Sequence, residues 1–376
     1  MDFELSDEQR LIQETFARFC EERVKPLAEE IDEAKQYPRE LISELAAMGF
    51  LGLRYPESVG GSGMDCVSYC LAIEEIARGS MSLAACAAMQ SLMGTHFVHK
   101  LGNEELHERL LKPAINGDKL GTICITEPNA GSDLGSISTA AEQVDGGYEL
   151  NGQKTWITAA PVADFFTVFA RAGEENKLTI FLVEKDYPGL EVGRSIEKMG
   201  VRASPTAEVS FSNCFVPENQ RLGAEGAGEV ELRKLLDEIR IMTGALAIGV
   251  ARAAVDDAVE YAAQRVQFGR PINRFQAVQM RLADMGTDLE ASKHLVYYAA
   301  WLKATGRPHQ REAAMAKLFA TEKATDICEQ ASRVLASYGY AMEYPVQRYA
   351  RDVRFTLYGG GTSDILKTII ARDMTK

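Results

Sequence analysis

The chain lacks the features that announce a metal site, a membrane segment or a nucleic-acid surface. Its seven cysteines (Cys20, Cys66, Cys70, Cys86, Cys124, Cys214, Cys328) contain no C-x-x-C pair. Its five histidines (His96, His99, His107, His294, His309) contain no H-E-x-x-H. Cys66 and Cys70 could share one helix face, as could His96 and His99, but neither pair has further ligands near it in sequence. No metal is expected, and an odd number of scattered cysteines points to reduced thiols. No apolar run approaches the length of a membrane span. The N-terminus has neither the charge-then-apolar order of a signal peptide nor an arginine-rich transit segment, so a cytoplasmic setting is expected. Basic residues are outnumbered, 41 Lys and Arg against 54 Asp and Glu, giving a net charge of -13. That balance argues against a nucleic-acid binder, which needs a basic stripe to meet phosphates.

What is present is a globular chain long enough for two or three packed units, at 376 residues. Ser6-Asp7-Glu8-Gln9 reads as a capping box opening a helix. Up to about Ala114 apolar residues recur at helical spacing, among them Leu11, Ile12, Phe16, Phe19 and Cys20, then Leu41, Leu45 and Met48. Breaks are expected at Pro38, at Gly49 and at Gly60-Gly61-Ser62-Gly63. From about Gly121 to Leu222 short β-rich runs take over: 148–150, 165–169, 178–183 and 207–211. Asp145-Gly146-Gly147 and Asn151-Gly152 are expected to be turns between strands. Helical periodicity returns from about Val230, interrupted near Gly306-Arg307-Pro308. The expected fold class is therefore α+β. It divides into an N-terminal helical domain over 1–120, a small central β-domain (sandwich or barrel) over 121–229, and a C-terminal helical bundle over 230–376.

Five motifs stand in this framework. They are Ile123-Cys124-Ile125-Thr126-Glu127-Pro128-Asn129-Ala130-Gly131-Ser132-Asp133, Trp156-Ile157-Thr158, Leu236-Asp237-Glu238-Ile239-Arg240, Arg265-Val266-Gln267-Phe268-Gly269 followed by Phe275-Gln276, and Leu357-Tyr358-Gly359-Gly360-Gly361-Thr362-Ser363-Asp364-Ile365. A loop mixing Pro and Gly with short hydroxyl side chains presents backbone N–H groups and small donors to a flat polar ring. An Arg pairs bidentately with pyrophosphate and a Phe stacks on a planar ring. Asp237 and Arg240, three apart on a helix, share a face and can reach one ligand.

In order and spacing the set resembles the acyl-CoA dehydrogenase family over the whole chain. The resemblance implies that family's fold and an FAD cofactor. It implies flavin contacts from Ile123, Ile125, Thr126, Gly131, Ser132, Trp156 and Thr158, with Ser132 also facing the pantetheine arm of the substrate. Asp237 and Arg240 would grip the thioester end. Arg265, Gln267, Phe268, Phe275 and Gln276 would reach the FAD of a neighbouring subunit, implying a homo-oligomer, in this family a tetramer. Thr362 and Asp364 follow in register in the C-terminal signature and are implied to bind the cofactor as well. Acyl-CoA or acyl-carrier-protein thioesters are the implied substrates, and an electron-transfer flavoprotein is a candidate partner.

The departures are as informative as the matches. The family's signature is usually written Y-E-G-T-S-E-I, and its glutamate, the catalytic base, falls on Gly360. A minority of members place the base on the helix at the position of Ile239, which is also not an acid. Glu238 is adjacent but about 100° round the helix, so it is a base candidate only if the helix start is irregular. The region of Gln90 and Ser91 offers no carboxylate either. Where members have Q-x-x-G-G, this chain reads Arg333-Val334-Leu335-Ala336-Ser337. Arg333 either offsets the lost glycines at the pyrophosphate or makes a surface salt bridge. In the family the backbone N–H of the catalytic glutamate donates to the thioester carbonyl, and the resemblance implies that the Gly360 N–H can keep this role. Three functions stay open: an acyl-thioester dehydrogenase or enoyl reductase with a non-standard proton donor or acceptor, acting on an unusual, branched or polar acyl group; a flavin monooxygenase on the same fold; and a flavin-binding protein of low turnover.

Overall fold

The structure, a computed structural model, describes residues 4–375; residues 1–3 and 376, at the ends of the two outer divisions, lie outside the described residues. The Ser6 capping box is present, with the Ser6 hydroxyl accepting from Gln9 N and the Gln9 side chain accepting from Ser6 N. It opens α1 (Asp7–Phe19), which passes through a π-helical turn into α2 (Lys25–Ala34). There follow α3 (Arg39–Ala47), α4 (Cys66–Gly79), α5 (Met81–Ala88), α6 (Thr95–Leu101), α7 (Glu104–Leu106) and α8 (Lys112–Ile115). A second π-helical turn, Met89–Gly94, joins α5 to α6.

Eight strands follow: β1 (Gly121–Cys124), β2 (Ala140–Val144), β3 (Gly147–Thr158), β4 (Phe165–Ala172), β5 (Lys177–Glu184), β6 (Leu190–Ser195), β7 (Thr206–Pro217) and β8 (Arg221–Leu222). They form one sheet in the order β6-β7-β3-β2-β4-β5-β8, with β1 parallel to β4. Side chains alternate along a strand, and here the two faces go to different cores. Phe166, Val168, Ala170, Phe181 and Val183 face a core internal to the sheet. Phe165, Phe169, Ile180 and Leu182 join the helical core. Asn151-Gly152 is not a turn. It lies within β3, at a register shift between Leu150 and Gly152. A Cβ at Gly152 would stand 2.5 Å from Thr139 Oγ1, so the glycine permits close approach rather than chain reversal.

The C-terminal region is α9 (Gly228–Gln264), a hairpin of β9 (Val266–Gln267) and β10 (Arg270–Pro271), then α10 (Gln276–Ala304), α11 (Gln310–Leu335), α12 (Val346–Asp352) and α13 (Ser363–Met374). α9 is the central helix. At Gly249 an added Cβ would stand 2.3 Å from Glu74 O, so the missing side chain lets α9 and α4 close together. The β1 end of the sheet is tied to the helices by Gln90. Its Nε2 donates to Ala114 O and Lys119 O, and its Oε1 accepts from Gly121 N. Ser91 pairs with the Tyr69 hydroxyl. Gln90 thus joins the sheet to the helices, while the Ser91 hydroxyl bonds Tyr69 and Ala87 O within the helical part.

Candidate active site

The triple-glycine loop lies between the 3-10 turn Val353–Leu357 and α13, with φ of 73° at Gly360 and 108° at Gly361. Glycine is the residue that adopts such angles at little cost. α9 forms the floor. A Cβ built at Gly360 would stand 3.2 Å from Ile239 Cγ2 and 3.5 Å from Thr243 Oγ1. The Thr243 hydroxyl donates to Ile239 O. No hydrogen bond among the described residues uses the Gly360 N–H. Asp237 and Arg240 do share a face, as their spacing predicts, and are paired at 2.7 Å. Arg240 Nε also approaches Gly360 O at 3.4 Å, linking the pair to the loop. Burial raises the Asp237 pKa and lowers that of Arg240.

Lys317 on α11 was not singled out by sequence, where it is one apolar-flanked lysine in a helix. Its fully buried Nζ donates to Leu357 O at 3.1 Å and Gly361 O at 2.8 Å, bracketing the glycine loop. Burial pushes its pKa down to about 8.

Glu238 takes no part in this group. Its carboxylate is paired with Arg54 and, at 2.8 Å, with Lys303. Burial works to raise its pKa, but Arg54 and Lys303 outweigh it and hold the group at about 2. The helix is regular here, so the 100° offset from Ile239 stands. A carboxylate held between two cations is a poor proton acceptor, and Glu238 is accordingly an ion-pair residue rather than a base.

At the edge of the sheet, Ile123 ends buried in β1, and Ile125 and Thr126 follow half-buried. Glu127 and Ala130 exchange backbone hydrogen bonds across a tight turn, leaving Gly131 and Ser132 exposed. A Cβ at Gly131 would meet nothing within 4 Å, so this backbone is open to a flat ligand. Thr155 N donates to Thr126 O, and Thr122 Oγ1 donates to Thr158 O, which joins the loop to β3. The β3–β7 register breaks between Lys154 and Ile157, and Trp156 in the gap has φ 60° and is 57 % exposed. A large ring turned out of its strand beside open backbone is what a planar cofactor requires of a wall.

The clamp beneath this wall was also missed by sequence. Glu127, fully inside, accepts from Lys154 Nζ at 2.8 Å, from Ser138 N and Oγ, and from Thr139 N and Oγ1. Burial opposes its ionisation, but these donors bring its pKa down to about 2. Lys154 Nζ also holds Ile125 O at 3.1 Å. The acid of the Thr126-Glu127-Pro128 string thus shapes the loop from within.

The remaining predicted residues are spread over the β9–β10 hairpin and the start of α10, over α11, and over the start of α13 next to the glycine loop. Phe268, at the tip of the β9–β10 hairpin, is 93 % exposed and meets Phe275 edge-on at 6.0 Å. Arg270 covers Phe275 at 4.2 Å, and Arg265 lies 5.6 Å from the Tyr338 ring. The Gln267 amide turns back onto Val266 O, and Gln276 is exposed at the first turn of α10. Arg333 pairs with Glu329 on the solvent face of α11. Of the two readings of Arg333, the single chain shows the surface salt bridge. Thr362 caps α13, accepting from Ile365 N, and Asp364 is exposed beside Lys367. Among the described residues no cluster of His, Cys, Asp and Glu could hold a metal ion, and all seven cysteines are free.

Three family models match in succession: the acyl-CoA dehydrogenase N-terminal domain over residues 6–118, middle domain over 122–214 and C-terminal domain over 226–375. Benzylmalonyl-CoA dehydrogenase of Aromatoleum aromaticum is 67 % identical over 376 residues, covering 100 % of both chains. Butyryl-CoA dehydrogenase from Megasphaera elsdenii superposes with a TM-score of 0.96 at 37 % identity, again over 100 % of both chains. A structure of PigA with FAD and proline gives a TM-score of 0.96 at 31 % identity, covering 100 % of this chain and 99 % of that one.

Proposed function

Since the chain belongs to the acyl-CoA dehydrogenase family, an oxidoreductase family acting on CH–CH bonds, we propose that it binds FAD and oxidises an α-carboxylated, malonyl-type acyl-CoA carrying an aromatic group on the β carbon. Loss of CO2 then replaces removal of the α proton. The observation that carries this reading is Gly360, where a carboxylate is missing and the atoms nearest to where a side chain would start are Ile239 Cγ2 and Thr243 Oγ1. The name of the relative from Aromatoleum supplies the matching chemistry: a benzylmalonyl thioester bears a carboxylate on the carbon from which a base would take a proton.

FAD fits the residues present. Open backbone at Gly131 and Ser132, the half-buried Thr126 and Thr158, and the outward Trp156 ring form one wall for the flavin. When bound, FAD supplies the two-electron acceptor for the hydride that leaves the β carbon. The chain's own residues manage the rest. The Gly360 N–H donates to the thioester carbonyl, drawing electron density towards its oxygen. Arg240 and Asp237 hold the thioester end. The substrate carboxylate lies in the space a glutamate would fill, against the apolar side of Ile239, where its charge is poorly solvated. Breaking the Cα–carboxylate bond releases CO2, and its electron pair passes into the polarised carbonyl. The same pair forms the new double bond as the β hydride departs. Charge balances without any proton being moved, so no acid or base is needed.

The exposed Phe268 and Arg265 and the half-buried Phe275, on and beside the β9–β10 hairpin, suit the nucleotide half of an FAD in a second copy of the chain. Exposed apolar residues around them (Val266, Met280, Tyr338, Tyr340, Met342) support such an assembly, in the family's tetrameric form. The exposed Trp156 offers an exit for electrons to an electron-transfer flavoprotein.

The deciding experiment mixes the flavoprotein anaerobically with benzylmalonyl-CoA or with 3-phenylpropionyl-CoA. Expected is flavin bleaching with one CO2 per flavin for the first and none for the second. Bleaching of comparable rate by 3-phenylpropionyl-CoA would show that a base exists and overturn the reading.

A further inference from the structure

Ordering three consecutive glycines costs more backbone entropy than ordering other residues. Two carbonyls of the loop 359–361 and one just before it are nevertheless held. Lys317 Nζ takes Leu357 O and Gly361 O, and Arg240 Nε takes Gly360 O. Farther along α11, Glu322 accepts from the Ser363 hydroxyl just past the loop. A peptide plane is rigid, so holding the carbonyls that bracket the loop restricts how the peptides between them can rotate. Lys317 is fully buried, and its hydrogen-bond acceptors are carbonyls only. A buried cation without a carboxylate partner is costly to keep, and its place under the loop is where that cost has a use.

We propose that Lys317 is a positioning residue whose ammonium locks the glycine loop so that the Gly360 N–H is presented to the thioester carbonyl. This rests on the reading of Gly360 as the polarising group. The charges facing Lys317 are Glu322 on its own helix and Arg240, with its partner Asp237, on α9. α13 carries the solvent-facing Asp364–Lys367 pair, and the 3-10 turn before the loop carries the exposed Arg354. Burial brings the Lys317 pKa to about 8, with Arg240 assisting and Glu322 opposing. A neutral amine is a weaker donor to two carbonyls, so the lock loosens as pH rises through that value.

The test uses 4-(dimethylamino)cinnamoyl-CoA, whose absorption moves to longer wavelength as its carbonyl is polarised, bound to the flavoprotein. The probe has no carboxylate and undergoes no turnover, so failure of the decarboxylation reading leaves this readout standing. In the wild type the red shift is expected at pH 7 and shrinks between pH 7.5 and 9.5. Lys317→Arg, which keeps its charge across this range, should hold the shift to pH 9.5. Lys317→Met should show little shift at any pH and a kcat about tenfold lower with KM little changed. A red shift in Lys317→Met equal to that of the wild type overturns the proposal. If Lys317→Met fails to fold, the wild type and Lys317→Arg decide it: a pH-independent wild-type shift, or identical profiles for the two, overturns it as well.

Discussion

Two fully buried lysines shape the two halves of this site, and they do so under opposite electrostatic conditions. Lys154 has a carboxylate partner in Glu127, itself satisfied by four further donors from Ser138 and Thr139. Lys317 has two carbonyls. The first arrangement neutralises its charge and makes a rigid ledge for the Thr126–Ser132 loop. The second leaves a cation whose hydrogen bonds go only to carbonyls, under a loop with no side chains of its own. A site that must only hold a cofactor tolerates a closed ion pair. A site that must polarise a carbonyl gains from positive charge left over behind it.

The largest expected effect comes from breaking the closed pair. Lys154→Met leaves Glu127 buried without its cation and should cost about 3–5 kcal/mol, read as a lower midpoint in denaturant together with loss of bound FAD. An unchanged midpoint would mean the pair is not buried in solution. Acid probes the same carboxylate. Its folded pKa of about 2 lies below the unfolded value of about 4.3, so the stability it contributes is complete above pH 4.3 and is lost as pH falls towards 2. The contribution is roughly 2–3 kcal/mol, and Glu127→Gln should flatten the acid limb of the stability curve measured between pH 5 and 2.

Gly360→Glu sharpens the comparison by bringing a carboxylate onto the loop that Lys317 and Arg240 hold by its carbonyls. At φ 73° and 3.2 Å from Ile239 Cγ2, the new side chain should cost roughly 1–2 kcal/mol. It should also suppress turnover of a malonyl-type thioester by filling the space of its carboxylate. Thermal unfolding and flavin bleaching measure the two effects separately. The smallest effect belongs to a turn that no lysine holds. Ala336 has φ 55° and ψ -126° at a position where glycine would be unstrained, and Ala336→Gly should raise stability by about 1 kcal/mol in thermal unfolding.

Much of the architecture was legible in the residue pattern. Ser6 and Gln9 cap α1, the four β-rich runs lie in β3, β4, β5 and β7, and the break at 306–308 separates α10 from α11. Asn151-Gly152 misled because the same dipeptide serves a turn and a bulge, and only the neighbouring Thr139 distinguishes them. Glu238 was ambiguous for a related reason. Sequence places a carboxylate on a helix but does not reveal that Arg54, 184 residues away, neutralises it.

By itself the sequence determined the order of helices and strands, the family motifs and the absence of a carboxylate at 239 and 360, because these are properties of local spacing and residue identity. The tertiary structure decided which charges meet. Lys154 on β3 finds Glu127 in the loop after β1, while Lys317 reaches the glycine loop from a helix some 40 residues earlier and finds carbonyl acceptors there. Charge compensation depends on distance and burial, and neither is encoded in the spacing of residues along a single element.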